Sequence, residues 1–329
     1  IHRNGAIAFA IYNYVRHTGD VAYLAEKGRK VLNAIARFWS QRFNWSEDKK
    51  RYVMLGVTGP NEYENNINNN WYTNYLAKWC IDYALKCESD FSSSNLLTSD
   101  EKALFAKISA NVYFPLLAGT RIYLQQDGFM DKEQLSAADI PANERPINQH
   151  WSWDRILRSI FIKQADVLQG LYLFEEHFDK ATIEDNFDFY EPKTVHESSL
   201  SPCIHVVLAA SIGRMDKAYE LYLRTSRLDL DDYNHEADEG LHITSMAGTW
   251  LSLVEGMAGV RITESGLSIT PKIPSVWNSY AFHIRYKDQP LRIEIHRDGG
   301  KIENLGSSIT FLTINNQEVK INSNEAFNF

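Results

Sequence analysis

The chain holds 329 residues, 44% of them hydrophobic and 12% aromatic, which is enough for one large domain or two with buried cores. Its 42 acidic residues outweigh 34 basic ones to a net charge of −8, which excludes the broad basic face of a nucleic-acid binder but leaves local cations free to hold an anion. Three cysteines, Cys80, Cys87 and Cys203, are odd in number and lack close metal-type spacing, so neither a disulfide framework nor a zinc site is expected. They read as packed thiols in a reducing compartment, the cytoplasm. No stretch reaches the roughly 20 apolar residues of a membrane span, and Ile1-His2 opens no signal-peptide pattern. Because the chain starts without Met and enters a helix almost at once, this start is expected to be an interior point of a longer polypeptide.

From Ala6 to about Ala258 the apolar spacing is mostly helical. Thr18-Gly19-Asp20 divides a first helix ending at His17 from a second over Val21–Phe43. Ala77–Glu88 and Glu101–Leu117 read as another antiparallel pair across the polar Ser89–Ser94 turn, and Lys163–Phe174, Pro202–Ile212, Lys217–Thr225 and Ser245–Gly256 as further helices. After about Val260 the pattern changes to short alternating segments, Leu267–Ile273, Tyr280–Tyr286, Leu291–Arg297, Thr310–Ile314 and Val319–Ile321. Pro274, Pro290, Gly299-Gly300, Gly306 and Asn315-Asn316 punctuate them, as expected of antiparallel strands. The expected organisation is a helical domain over residues 1–259 and a small antiparallel β-sandwich over 260–329.

The stretch Gly59-Pro60-Asn61-Glu62-Tyr63-Glu64-Asn65-Asn66-Ile67-Asn68-Asn69-Asn70-Trp71-Tyr72-Thr73-Asn74 packs carboxylates, amides and aromatics into one turn-forming loop. Those are the side chains of a sugar site: amides and carboxylates hydrogen-bond ring hydroxyls, aromatic faces stack on a pyranose, and a carboxylic acid can protonate a glycosidic oxygen. The competing reading is a surface turn in which Asn bonds its own backbone. Glu62 and Glu64 are both acid candidates, and Trp71 and Tyr72 are either acceptor contacts or core.

Three further stretches carry candidate chemistry. In Phe161-Ile162-Lys163-Gln164-Ala165-Asp166-Val167 a cation and an amide are adjacent at the expected start of a helix. In His196-Glu197-Ser198-Ser199-Leu200-Ser201-Pro202-Cys203, Ser201 as N-cap and Pro202 at the first helical position mark a helix start, which leaves His196, Ser198 and Ser199 at its positive end. In Glu239-Gly240-Leu241-His242-Ile243-Thr244-Ser245, Gly240 permits close backbone approach and His242 adds a donor beside a second helix start.

Residues 52 to 79 resemble the signature of glycoside hydrolase family 65, carried by Pro-Asn-Glu-Tyr-Glu-Asn-Asn and then Asn-Trp-Tyr-Thr-Asn. The resemblance implies the second half of an (α/α)6 barrel followed by a small β domain, with an N-terminal sandwich and the first barrel half lying upstream. It implies Glu62 as general acid, Lys163 and Gln164 as glucose contacts, and Ser198, Ser199 and His242, with His196 on the same wall, as the phosphate site. The implied reaction is inverting phosphorolysis of an α-linked disaccharide, needing no cofactor or metal, with inorganic phosphate as co-substrate attacking opposite the acid. The Asn-Trp-Tyr-Thr-Asn wording points to maltose among the family's substrates, which include trehalose, kojibiose and nigerose. Family enzymes are commonly homodimers. An acid at pH 7 requires Glu62 to be raised above its usual value of about 4.3, by burial or by a neighbouring negative charge. The alternatives are an inverting α-glucoside hydrolase, with Glu197, Asp238 or Glu239 as base, and a glycan-binding module without catalysis.

Overall fold

The computed structural model describes residues 1–329, and the side chain of Glu239 lies outside the described residues. The chain separates into two compact units, residues 1–15 with 20–195, and residues 16–19 with 196–329.

In the first unit, Asp20 caps the second helix by accepting the Tyr23 N–H at 2.8 Å. The helix passes through a π turn, Leu24–Gly28, and continues as Arg29–Arg42, so the expected span is helical but not uniformly so. Trp71–Asp90 is longer than expected at both ends, because the start signal is Asn70, whose Oδ1 accepts the Thr73 N–H at 2.9 Å. Ser99–Ala110 begins in a Thr98/Glu101 capping box and stops seven residues short of the expected Leu117. Pro115 disfavours helix at Phe114, and Val112 is extended instead, bridging to Tyr52. The hairpin Asn44–Ser46 with Arg51–Val53 and the helix Lys180–Tyr190 were not expected, since neither carries a strong apolar rhythm. The expected Lys163–Phe174 helix occupies only Val167–Leu173.

Between Arg29–Arg42 and Trp71–Asp90 lies a buried ion pair, Arg29 Nη2 to Glu88 Oε1 at 2.7 Å, both side chains 1% exposed. Asn33 Nδ2 donates to the same oxygen at 3.0 Å, and the N–H groups of Leu96 and Leu97 donate to Oε2. Burial alone would raise the Glu88 carboxyl, but these donors outweigh it and hold the group down at about 2.

In the second unit, Pro202–Ile212 forms as expected and is almost wholly buried, followed by Met215–Ser226 and by Ile243–Leu251, which ends in a π turn, Ser252–Met257. Ile243, Met246 and Trp250, spaced to share one helix face, are exposed. The strands make two four-stranded sheets. Ser279–Tyr286, Gln289–His296 and Gly299–Asn304 form a meander flanked by Ala326–Asn328, while Arg261–Thr263, Gly266–Ile269, Thr310–Ile314 and Gln317–Ile321 form the other sheet. Alternate residues Leu291, Ile293 and Ile295 share one buried cluster with Leu267, Ile269, Leu312 and Ile314. The sandwich is not purely antiparallel, because Gly266–Ile269 pairs in parallel with Thr310–Ile314. Its expected Leu267–Ile273 strand ends at Ile269, two residues before Pro271, which has no N–H to give a ladder. Gly299-Gly300, expected as punctuation, opens a strand instead.

Cys80, Cys87 and Cys203 are buried thiols, and among the described residues no helix is long and apolar enough to cross a membrane. The fold class is as expected, mainly helical with a small β domain at its C-terminal end, with the parallel pair as an amendment.

Glu88→Ala strands the Arg29 guanidinium and should cost about 3–5 kcal/mol in urea unfolding. Because Glu88 is depressed in the folded state, its contribution should be present above about pH 4.5 and fall away as pH drops toward about 2, a slope the variant lacks.

Candidate active site

The Asn-rich loop is built by its own amides. Asn66 and Asn69 take positive φ, 51° and 55°, which Asn tolerates better than most residues. Asn69 Oδ1 accepts the Met54 N–H at 3.0 Å and its Nδ2 donates to Asp127 at 2.7 Å, while Asn68 Oδ1 accepts the Gly56 N–H. Asn61, 1% exposed, is the junction: its Oδ1 accepts the N–H of Tyr63 at 3.1 Å and of Lys163 at 3.0 Å, and its Nδ2 donates to Gln125 Oε1. These amides serve the backbone. Trp71 and Tyr72 are core, Trp71 stacking on Tyr123 at 4.7 Å between centroids.

The two glutamates of the loop part ways. Glu64 is buried against the Lys132 ammonium, with Gln126 as a further donor, and burial raises its carboxyl in spite of both. Glu62 is exposed, its side chain 60% accessible, and its Oε2 lies 2.8 Å from Lys163 Nζ. Gln164 also hydrogen-bonds Glu62, and its own Oε1, buried, has no donor among the described residues. An orphaned buried acceptor beside an exposed carboxylate and a lysine suits a ligand hydroxyl. Lys163 and Gln164 stand ahead of the helix rather than in its first turn.

The expected elevation of Glu62 is not found. Burial pushes its carboxyl up, but the hydrogen bond and charge of Lys163 and the Gln164 amide outweigh burial and hold it below the usual glutamate value. Asp166 goes the other way: full burial, joined by the charge of Glu64, raises it to about 7 although Asn70 and the Asn61 N–H both donate to it.

In the second unit, Ser201 does not cap its helix. Its Oγ lies 2.8 Å from His196 Nδ1, and His196 sits at φ 55° with its ring edge on His205. Ser198 Oγ accepts the Leu200 N–H, and Ser199 Oγ lies 2.7 Å from Thr244 Oγ1, which brings the Ser-Ser loop to the His242 loop. Asp229 holds His242 twice, taking its backbone N–H at 3.0 Å and approaching its Nδ1 at 2.6 Å, while Glu236 stands 3.7 Å from Nε2. Of the alternative bases, Glu197 is buried, Asp238 is exposed, and the Glu239 side chain lies outside the described residues. Asp166, Lys132, Asp229 and Thr244 were not singled out from the sequence. Asp166 lies inside the expected Lys163–Phe174 helix, and nothing local marks Asp229.

Fold and donor set place the chain among mainly helical carbohydrate-active proteins. It belongs to glycoside hydrolase family 65: residues 1–251 match the Glycosyl hydrolase family 65 central catalytic domain and residues 260–321 match the family's C-terminal domain. It is 49% identical to the maltose phosphorylase of Bacillus subtilis over 90% of this chain and 40% of that protein. It is 37% identical to the α,α-trehalose phosphorylase of Thermoanaerobacter brockii over 90% and 40%, and 32% identical to the kojibiose phosphorylase of Halothermothrix orenii over 99% and 44%. A solved structure from the human microbiome, assigned as a kojibiose phosphorylase, superposes with a TM-score of 0.91 at 32% identity, covering 99% of this chain and 49% of that one. The chain thus spans less than half the length of these relatives.

Lys163→Met should let burial dominate at Glu62, so that its carboxyl titrates at higher pH than in the wild type. A carbon-detected carboxyl NMR titration, with Glu62→Gln to assign the signal, reads this. An unmoved Glu62 would show that Lys163 does not set its charge.

Proposed function

We propose that the polypeptide containing this chain is an inverting disaccharide phosphorylase that converts maltose and inorganic phosphate to β-D-glucose 1-phosphate and D-glucose. The observation that carries this reading is Glu62, the exposed carboxylate of the loop, with Lys163 at 2.8 Å and the orphaned Gln164 acceptor beside it. Membership of family 65 supports the reaction class, and the higher identity to a maltose phosphorylase than to the trehalose and kojibiose enzymes supports maltose.

Glu62 donates its proton to the glycosidic oxygen while a phosphate oxygen attacks the anomeric carbon from the opposite face, giving a single inversion. Phosphate is already an anion and needs no base, only donors that hold it in line. His196, Ser198, Ser199 and His242 supply those donors, Thr244 sets the Ser199 hydroxyl, and Asp229 orients the His242 ring. Lys163 and Gln164 take hydroxyls of the glucosyl ring. Drawing the Lys163 ammonium onto a sugar hydroxyl weakens the ion pair that holds Glu62 down, and the phosphate charge raises the carboxyl.

Residues 1–259 are read as part of the barrel and 260–329 as a β domain that carries no chemistry. Chain upstream would cover the apolar face of Ile243, Met246 and Trp250, while a cytoplasmic homodimer rests on the family resemblance alone.

Incubating the full polypeptide with maltose should give β-glucose 1-phosphate and glucose in equal amounts, strictly dependent on phosphate. Phosphate-independent glucose would instead mark a hydrolase. Ser198→Ala with Ser199→Ala should raise the KM for phosphate about tenfold or more, as expected for two lost hydrogen bonds to an anion, while a hydrolase would change little. The alkaline limb of the pH–rate profile, where Glu62 loses its proton, should move upward as phosphate saturates the site.

A further inference from the structure

Asp166 is a buried carboxylate that the proposed chemistry does not use. It stands at the N-cap of Val167–Leu173 yet makes no capping bond to that helix. Both oxygens go instead to the acid loop. Oδ2 accepts the Asn61 N–H at 3.2 Å and Oδ1 accepts Asn70 Nδ2 at 2.9 Å, so one side chain ties the loop on either side of Glu62. The tie is reciprocal, because Asn61 Oδ1 accepts the Lys163 N–H three residues before Asp166. Gly59 makes room for it: a Cβ there would stand 2.4 Å from Asp166 Oδ2 and 2.6 Å from Asn70 Nδ2.

We propose that Asp166 is the positioning residue of the acid loop, fixing the Glu62 peptide against the Lys163-Gln164 segment so that the acid is aimed at the leaving oxygen. The inference rests on the reading of Glu62 as the acid. Displacement of about 1 Å at a reacting group can cost two orders of magnitude in rate, and an amide at position 166 has one oxygen for two donors, so its NH2 would face either Asn70 Nδ2 or the Asn61 N–H donor to donor.

The test compares two substrates of the full polypeptide that share the glucosyl group and differ in whether the leaving group needs a proton. With maltose the C1–O bond breaks and the departing oxygen takes a proton from the acid. With α-D-glucosyl fluoride the C1–F bond breaks and fluoride leaves with its electron pair unprotonated. In both, a phosphate oxygen forms the new bond to C1. Glu62→Gln should lower kcat on maltose by about 10²–10⁴ and spare the fluoride; an equal loss on both substrates, or none, would sink the acid assignment itself. Given that control, Asp166→Asn should lower kcat on maltose at least about tenfold with fluoride turnover within about threefold, as expected of a displaced acid. Gly59→Ala, which pushes on the carboxylate without removing a polar group, should reproduce that selective loss and serves if Asp166→Asn does not fold. Parallel losses on the two substrates, or none, in the variants that fold would overturn the positioning role.

Discussion

A carboxylate taken out of water must be given donors, and the first unit is organised around three that were. Glu88 collects Arg29, Asn33 and two backbone N–H groups, and so fastens a helix pair. Glu64 takes Lys132 and Gln126. Asp166 takes Asn61 and Asn70. With those three occupied inside, Glu62 is the carboxylate of the loop left facing outward, and its direction is a consequence of where the others are held.

Lys163 joins two levels of this arrangement. Its backbone N–H fixes Asn61, and its ammonium sits on Glu62 next door, so the segment that shapes the loop also sets the charge of the loop's exposed group. Glu62 is therefore held in an ion pair, and an acid role for it depends on what draws the ammonium away. The second unit repeats the principle with softer parts: a hydroxyl pair joins the Ser-Ser loop to the His242 loop, and Asp229 grips both the backbone and the ring of His242.

Elements with local signals were legible in the sequence. Pro202–Ile212 has Pro at its first position and Gly213 at φ 96° to end it, and residues 291–296 alternate apolar and polar side chains within the strand Gln289–His296. Errors arose where a side chain spends its bonding far away in sequence. Asp166 lies inside the helix expected from Lys163, but it serves a loop about a hundred residues earlier and the helix starts only at Val167. Ser201 looks like a cap and turns to His196. In the Asn run, composition alone could not separate amides committed to backbone, such as Asn69, from groups left to meet a ligand, since both uses demand the same residue. Exposure of Glu62 against burial of Glu64 is likewise a tertiary fact about Lys132, with no trace in the spacing of the two.

The parallel pairing of Gly266–Ile269 with Thr310–Ile314 bears on how the β domain is made. Forty residues that form most of the other sheet separate the two strands, so the closure is non-local and slow relative to the hairpins on either side. On a ribosome, Leu267 and Ile269 emerge well before Leu312 and Ile314, with which they share a core, and until then that core is incomplete. A chain cut between the two strands would keep its meander yet leave one side of that core permanently unfilled, a product that quality-control proteases should remove while the full-length chain persists.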